Sequence, residues 1–126
     1  MAQAAVPERV RRFIIDAIDS VAELEALLLL RENAGQTWTP DAASARLYVS
    51  LHVATYSLSA LAQRGLLHET ANGYIYEPVS PALAEDVAAL AVAYSRSLIA
   101  VTQLIHAKPG PSVQDFARAF RLRKGP

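Results

Sequence analysis

Residues 39–77 constrain the fold of this chain more than any other stretch. Thr39-Pro40 predicts a helix start, because a threonine hydroxyl caps a first turn and proline fits the first helical position. After a turn over residues 47–50, Ser50 is placed to cap a second helix, predicted over residues 51–64. The core-facing positions of that helix recur at spacings of four and three, at Ala54, Leu58 and Leu61.

A β-hairpin is predicted directly after the second helix, over residues 66–77. Gly65 ends the helix, since glycine enters the left-handed region at little cost. Asn72-Gly73 then lies between two strand-like runs, which predicts a type I′ turn with positive φ at both residues. The segment therefore reads as helix, turn, helix and hairpin, in that order.

This order, with the letters RGLL closing the second helix, resembles the winged helix-turn-helix domain of bacterial transcription regulators. The resemblance covers roughly residues 20 to 80 and is carried by Thr39-Pro40, Leu47, Ser50, Leu58, Leu61 and Gly65-Leu66-Leu67. It implies a homodimeric DNA-binding regulator. The helix 51–64 would be its recognition helix in the major groove, and the hairpin 66–77 its wing.

Candidate DNA contacts lie on the outer face of the recognition helix, at the hairpin tip and in the C-terminal residues. They are His52, Thr55, Tyr56, Ser59, Gln63, Arg64, Asn72, Arg121, Arg123 and Lys124. We expect Tyr56 and His52 to reach base edges and Arg64 to hold a phosphate. The predicted C-terminal helix, residues 112–124, would either add the phosphate contacts that the recognition helix lacks or dock on an acidic partner. The alternative is a solvated terminus without a binding role.

The overall charge gives this function no general support. Lysine plus arginine equals aspartate plus glutamate, at 12 each in 126 residues, whereas nucleic-acid binders typically carry a basic excess. DNA binding must then come from a local patch. The alternative is a protein-interaction module that keeps the winged-helix frame without binding DNA.

Two helices are predicted before this unit. Apolar residues at helical spacing predict an amphipathic helix over residues 7–18. Ser20-Val21-Ala22-Glu23 has the form of a capping box, with serine and glutamate each bonding the other's amide, and opens a helix to about Asn33. Trp38 is expected in or beside the core, near the base of the hairpin.

A single long helix is predicted over residues 81–107, opened by Ser80 and Pro81. Its Arg96 would cost about 2.5 to 3.5 kcal/mol at a membrane centre, which favours a buried helix over a membrane span. The helix is apolar on two sides, and a chain of this size cannot cover both. A homodimer is therefore expected, with an interface at Leu90, Tyr94, Leu98, Val101 and Ile105.

The sequence offers little for catalysis. The three histidines lack metal-ligand spacing, there is no glycine-rich phosphate loop, and no pair of carboxylates flanks a predicted pocket. We therefore expect no enzymatic activity, cofactor or metal. Zero cysteines and no visible signal peptide fit a cytoplasmic protein. The predicted class is mainly α with a small β-hairpin, in one domain over residues 1–126 with the winged-helix core at 20–80.

Overall fold

The computed structural model describes residues 6–108, which form six helices and one two-stranded antiparallel hairpin. The elements are α1 (Glu8–Ala17), α2 (Val21–Glu32), α3 (Pro40–Leu47), α4 (Leu51–Gln63), β1 (Leu67–Thr70), β2 (Gly73–Tyr76), α5 (Pro81–Arg96) and α6 (Leu98–Ala107). The predicted class, mainly α with a small hairpin, is confirmed. The predicted helix over residues 112–124 lies outside the described residues.

One continuous core joins these elements. Helix α2 packs on α3, α4 and β2, while α1 packs on α5 and α6. Leu24, Leu27 and Leu30 of α2 are fully buried, and so are Leu58 and Leu61 of α4. Burial of large aliphatic side chains stabilises the fold by about 1.5 to 3 kcal/mol each, so these two helices supply much of the core.

One hydrogen bond at the start of α2 differs from the capping box predicted for Ser20 and Glu23. Ser20 Oγ accepts a hydrogen bond from the Glu23 amide at 3.1 Å, as expected of a capping serine. The Glu23 carboxylate instead accepts from the amide of Asp19 at 2.9 Å, one residue before the predicted donor. Its side chain is also 1% exposed, which leaves a charge buried at the beginning of α2.

Helices α3 and α4 begin at the predicted caps. Thr39 Oγ1 accepts from the Ala42 amide and Ser50 Oγ from the Val53 amide, both at 3.1 Å. Tyr48 ends α3 in the left-handed conformation, with φ 58° and ψ 41°. Gly65, with φ +81°, follows the end of α4 as predicted.

The hairpin turn differs from the predicted type I′ turn. Thr70 pairs with Gly73, so the loop residues are Ala71 and Asn72. Tyr48 is the one non-glycine residue with positive φ in residues 6–108, so Asn72 does not adopt the expected conformation. The Thr70 hydroxyl stabilises the turn, since it accepts from the Asn72 amide and donates to the Gly73 carbonyl, both at 3.1 Å.

Gly73 is required by a close backbone approach. Trp38 and Tyr74 exchange backbone hydrogen bonds of 2.7 and 2.8 Å, which adds a one-residue bridge to the hairpin. A Cβ atom on Gly73 would lie against the Trp38 carbonyl, 2.8 Å from its carbon, and φ there is +139°. Trp38 itself is 6% exposed, so its predicted place in the core beside the hairpin is confirmed.

The prediction of a single long helix over residues 81–107 is wrong. Helices α5 and α6 are bent by 116° relative to each other, at Ser97. The bend returns α6 to pack on α1, where Val101 and Ile105 are buried. Apolar surface that the sequence assigned to a second copy is thereby partly covered within the chain. In the described residues no single helix is long and apolar enough to cross a membrane; α5 and α6 would be so only when taken together, across their 116° bend.

Candidate interaction surface

The outer side of α4 and the turn before it form an exposed, largely apolar surface, here called the α4 face. It consists of Tyr48, Leu51, His52, Val53 and Tyr56. The exposed fractions are 95% for Tyr48, 49% for Leu51 and 53% for Tyr56. Ser50 fixes this surface, because its hydroxyl caps α4 between Tyr48 and Leu51.

The α4 face carries no fixed charge. Residues 47–63 contain no lysine, arginine, aspartate or glutamate, and the charged residues of the hairpin are Glu69 and Glu77. A surface for DNA normally places cations beside the recognition helix, because phosphate neutralisation supplies most non-specific affinity. The lack of charged residues over 47–63 is visible in the sequence, but the exposure of Leu51 and Val53 is apparent only in the structure.

Arg64 is held in a structural ion cluster. Its two terminal nitrogens donate to the Ala17 carbonyl at 2.7 Å, to Glu23 Oε1 at 2.6 Å and to Asp19 Oδ2 at 2.8 Å. Its side chain is 25% exposed and Glu23 is 1% exposed. The Arg64 charge thus compensates the buried carboxylate of Glu23, and the phosphate contact expected of Arg64 stays a prediction.

Lys108 completes this cluster from the end of α6. Its ammonium donates to Asp19 Oδ1 at 3.0 Å and to the carbonyls of Ile14 and Ile18 at 2.9 and 2.7 Å. The Ile14 carbonyl also accepts from the Ile18 amide at 3.1 Å, so Lys108 adds a second bond there. Cations at this end of α1 also oppose the negative end of the helix dipole. The cluster of Asp19, Glu23, Arg64 and Lys108 thus joins α1, α2, α4 and the residue after α6.

An open groove of about 400 Å³ runs between the start of α2 and the outer side of α4, here called the α2–α4 groove. It is lined by Asp19, Ser20, Ala22, Glu23, His52, Val53, Tyr56 and Ser57. Val53 and Tyr56 belong to both the groove and the α4 face. Asp19 and Glu23 of the ion cluster also line the groove, so its apolar side chains lie beside carboxylate groups.

The other residues predicted for DNA contact are dispersed. His52, Thr55, Tyr56 and Gln63 are exposed on α4, whereas Ser59 is half-buried. Asn72 is exposed at the hairpin tip. The structure brings His52 and Tyr56 together at the groove. Arg121, Arg123 and Lys124 lie outside the described residues.

Three of the five residues predicted for the dimer interface lie in the chain's own core: Leu90, Val101 and Ile105. The hydroxyl of Tyr94 donates to Glu25 Oε2 at 2.7 Å, and burial together with this bond raises the pKa of Tyr94 to about 12. Leu98 is 54% exposed and lies near exposed Val92 and Ile99 in the sequence, on either side of the α5–α6 bend. The exposed apolar surface left for the predicted dimer interface is therefore formed by Val92, Leu98 and Ile99 at the α5–α6 bend.

A second open cavity, of about 580 Å³, lies between α1 and α5. Arg9 at its edge pairs with Asp86 at 2.6 Å, and this pair raises the pKa of the Arg9 guanidinium. In the part of the chain that the structure describes, no group of three histidine, aspartate or glutamate side chains could hold a metal ion.

No family model matches the chain, and neither a curated protein nor a solved structure matches it.

Proposed function

We propose that this chain is a winged-helix protein that binds another polypeptide through the α4 face. The observation that carries the proposal is the absence of fixed charge from residues 47–63, combined with the exposure of Tyr48, Leu51 and Tyr56. The centres of protein interfaces are depleted of charged residues and enriched in aromatic ones. Tyrosines are also frequent among the residues that contribute most to binding.

Tyr48 supports this assignment separately. Its left-handed conformation is unfavourable for any residue with a Cβ atom, by about 1 to 2 kcal/mol. At 95% exposure the ring gains almost no packing within the chain in return. Backbone strain of this kind clusters at binding and catalytic sites, where it fixes the direction of a side chain.

DNA-binding regulation is the second candidate. It is favoured by the order of α3, α4 and the hairpin, and by the C-terminal cations Arg118, Arg121, Arg123 and Lys124. The described residues oppose it, with eight cations against eleven carboxylates. In this candidate the phosphate contacts depend on the C-terminal residues and not on α4.

Photo-crosslinking in cells of the source organism tests the first proposal. A photoreactive phenylalanine replaces Tyr56 in one variant and Val79, which is exposed but lies after the hairpin, in a control. We expect a protein adduct from position 56 and not from position 79. The adducted protein, once purified, should bind the full-length chain, and Leu51→Asp should weaken that binding at least tenfold while Val79→Asp leaves it unchanged.

Fluorescence anisotropy with a random duplex pool across a salt series separates the two candidates. Salt-dependent binding of the full-length chain, lost when the chain is cut after Phe120 and its last three cations are removed, would replace the polypeptide proposal with the DNA proposal. Equal crosslinking at positions 56 and 79 would also overturn the first proposal.

Self-association is a further proposal, restricted to Val92, Leu98 and Ile99. Light scattering should give twice the 13.6 kDa chain mass, and the chain mass alone after Leu98→Asp.

A further inference from the structure

A single residue, Ser97, joins α5 to α6, and the two helices are bent by 116° relative to each other. Sharp bends in helices normally have a local cause, such as proline, glycine or an inserted side chain. Residues 82–108 contain neither proline nor glycine. Within the described residues the Ser97 side chain also makes no capping bond to the first turn of α6. The sequence around Ser97 is therefore compatible with one continuous helix as well as with the bend.

Contacts away from Ser97 hold α6 in its bent position. Helix α6 packs on α1, and its Val101 and Ile105 are buried. After α6, the Lys108 ammonium donates to two carbonyls at the end of α1, at 2.9 and 2.7 Å, and to Asp19 Oδ1 at 3.0 Å. Residues 14–19 supply all three of these acceptors. A second copy of the chain offers the same acceptors in the same arrangement.

Helix α5 is held on α1 without α6. The two helices pack on each other directly, Val87 and Leu90 of α5 are fully buried, and Arg9 of α1 pairs with Asp86 of α5 at 2.6 Å. If the helix continued straight through Ser97, it would carry α6 about 15 Å away from its own α1, at about 1.5 Å per residue. The surface of α1 left vacant would then fit α6 of a second copy, because exchange of an identical element restores identical contacts.

The exposed apolar residues at the bend fit this arrangement. Val92 and Ile99 are 51% and 56% exposed. They are seven residues apart, so in a continuous helix they lie on one face, two turns from each other. In an exchanged dimer each continuous helix runs from its own copy to the other, and the two helices pass each other near Ser97. Val92 and Ile99 would then be covered by the same residues of the second copy.

We propose that two copies of this chain exchange α6, with α5 and α6 of each copy joined into one helix through Ser97. Helix α6 of each copy then packs on α1 of the other, and Lys108 of each copy binds Asp19 of the other. This inference rests on the self-association proposed above and deepens it, because it names the element that crosses between the copies.

Carbodiimide crosslinking of the full-length chain tests the exchange. This reagent joins an amine to a carboxylate in direct contact, and Lys108 Nζ lies 3.0 Å from Asp19 Oδ1. Unlabelled chain and heavy-isotope-labelled chain are unfolded together in equal amounts, refolded, separated by size and crosslinked. In the dimer fraction, mass spectrometry should find about half of the peptides joined through Asp19 and Lys108 with one partner of each isotope. The monomer fraction should give only pairs of a single isotope.

A matched control identifies the crosslinked product. Lys108→Arg keeps the cation but forms no amide with this reagent, so the product should disappear. Pairs of a single isotope alone in the dimer fraction would overturn the exchange and leave self-association standing. Absence of any dimer would overturn both. Neither result bears on the polypeptide proposal for the α4 face.

Two variants at Ser97 test the continuous helix separately. Ser97→Ala and Ser97→Gly both remove the hydroxyl group, but alanine favours a helix interior over glycine by about fivefold at each position. Since an exchanged dimer contains two such positions, its Kd should be about 25-fold lower in Ser97→Ala than in Ser97→Gly. Analytical ultracentrifugation measures both constants, and equal values would contradict the joining of α5 and α6.

Discussion

Replacement of Tyr48 by glycine should make the protein more stable. In the left-handed region a residue with a Cβ atom costs about 1 to 2 kcal/mol, and glycine avoids that cost. Glycine also loses about 0.5 to 1 kcal/mol more conformational free energy on folding. Because the Tyr48 side chain is 95% exposed, little packing is lost. The net expectation for Tyr48→Gly is a gain of about 0.5 to 1 kcal/mol in the free energy of unfolding.

Urea unfolding followed by circular dichroism measures this change directly, and the melting temperature should rise by about 2 to 5 °C for a domain of this size. Tyr48→Ala is the matched control, since alanine removes the ring but keeps the Cβ atom, and its stability should equal that of the parent. If Tyr48→Gly is less stable than Tyr48→Ala, the backbone there is not strained and the argument from strain fails. Both variants should lose affinity for a partner at the α4 face. Tyr48→Gly should therefore raise stability while lowering affinity, whereas Tyr48→Ala should lower affinity and leave stability unchanged.

Three further predictions concern the framework that holds this surface. Arg64→Ala should lower the free energy of unfolding by about 3 kcal/mol, because it leaves Glu23 buried without its cation; chemical denaturation measures the loss, and Arg64→Ala with Glu23→Gln should recover part of it. Gly73→Ala should lower the free energy of unfolding by about 2 to 3 kcal/mol, because the new Cβ atom would meet the Trp38 carbonyl. Gly35→Ala, where the space is open, should lower it by about 1 kcal/mol, and equal losses in the two variants would contradict the contact. Tyr94 should ionise near pH 12 in an absorbance titration. Since its pKa is higher folded than unfolded, its contribution to stability is present below about pH 10 and is lost between about pH 10 and 12.

The features that the sequence predicted well are local. Serine and threonine caps at Ser20, Thr39, Ser50 and Ser80 each accept a hydrogen bond from an amide three residues on. Gly65 ends α4 in the expected conformation. Each of these signals acts within four residues, so it needs no knowledge of the rest of the fold.

The errors arose where distant segments decide between local alternatives. Nothing at Ser97 marks a break, since neither proline nor glycine is present there. The bend at Ser97 accompanies the packing of α6 on α1, which only the three-dimensional arrangement reveals. An apolar stripe on a predicted helix can be buried by a second copy or by the chain itself, and the spacing of apolar residues does not distinguish the two cases. Gly73 was assigned to the turn for a similar reason, because its true neighbour, Trp38, is far away in sequence.

The same limit governs the functional assignment of Arg64. A cation at the end of a predicted recognition helix suggests a phosphate contact, but its role depends on whether carboxylates from elsewhere reach it first. Here Asp19 and Glu23, more than forty residues earlier, bind it at 2.8 and 2.6 Å. The buried position of Glu23 makes this pairing obligatory, because an uncompensated buried charge would be strongly destabilising. Once Arg64 is assigned to the framework, α4 has no fixed charge to offer a phosphate. The exposed residues of α4 are uncharged and include Leu51, Val53 and Tyr56, which supports the proposed polypeptide interface.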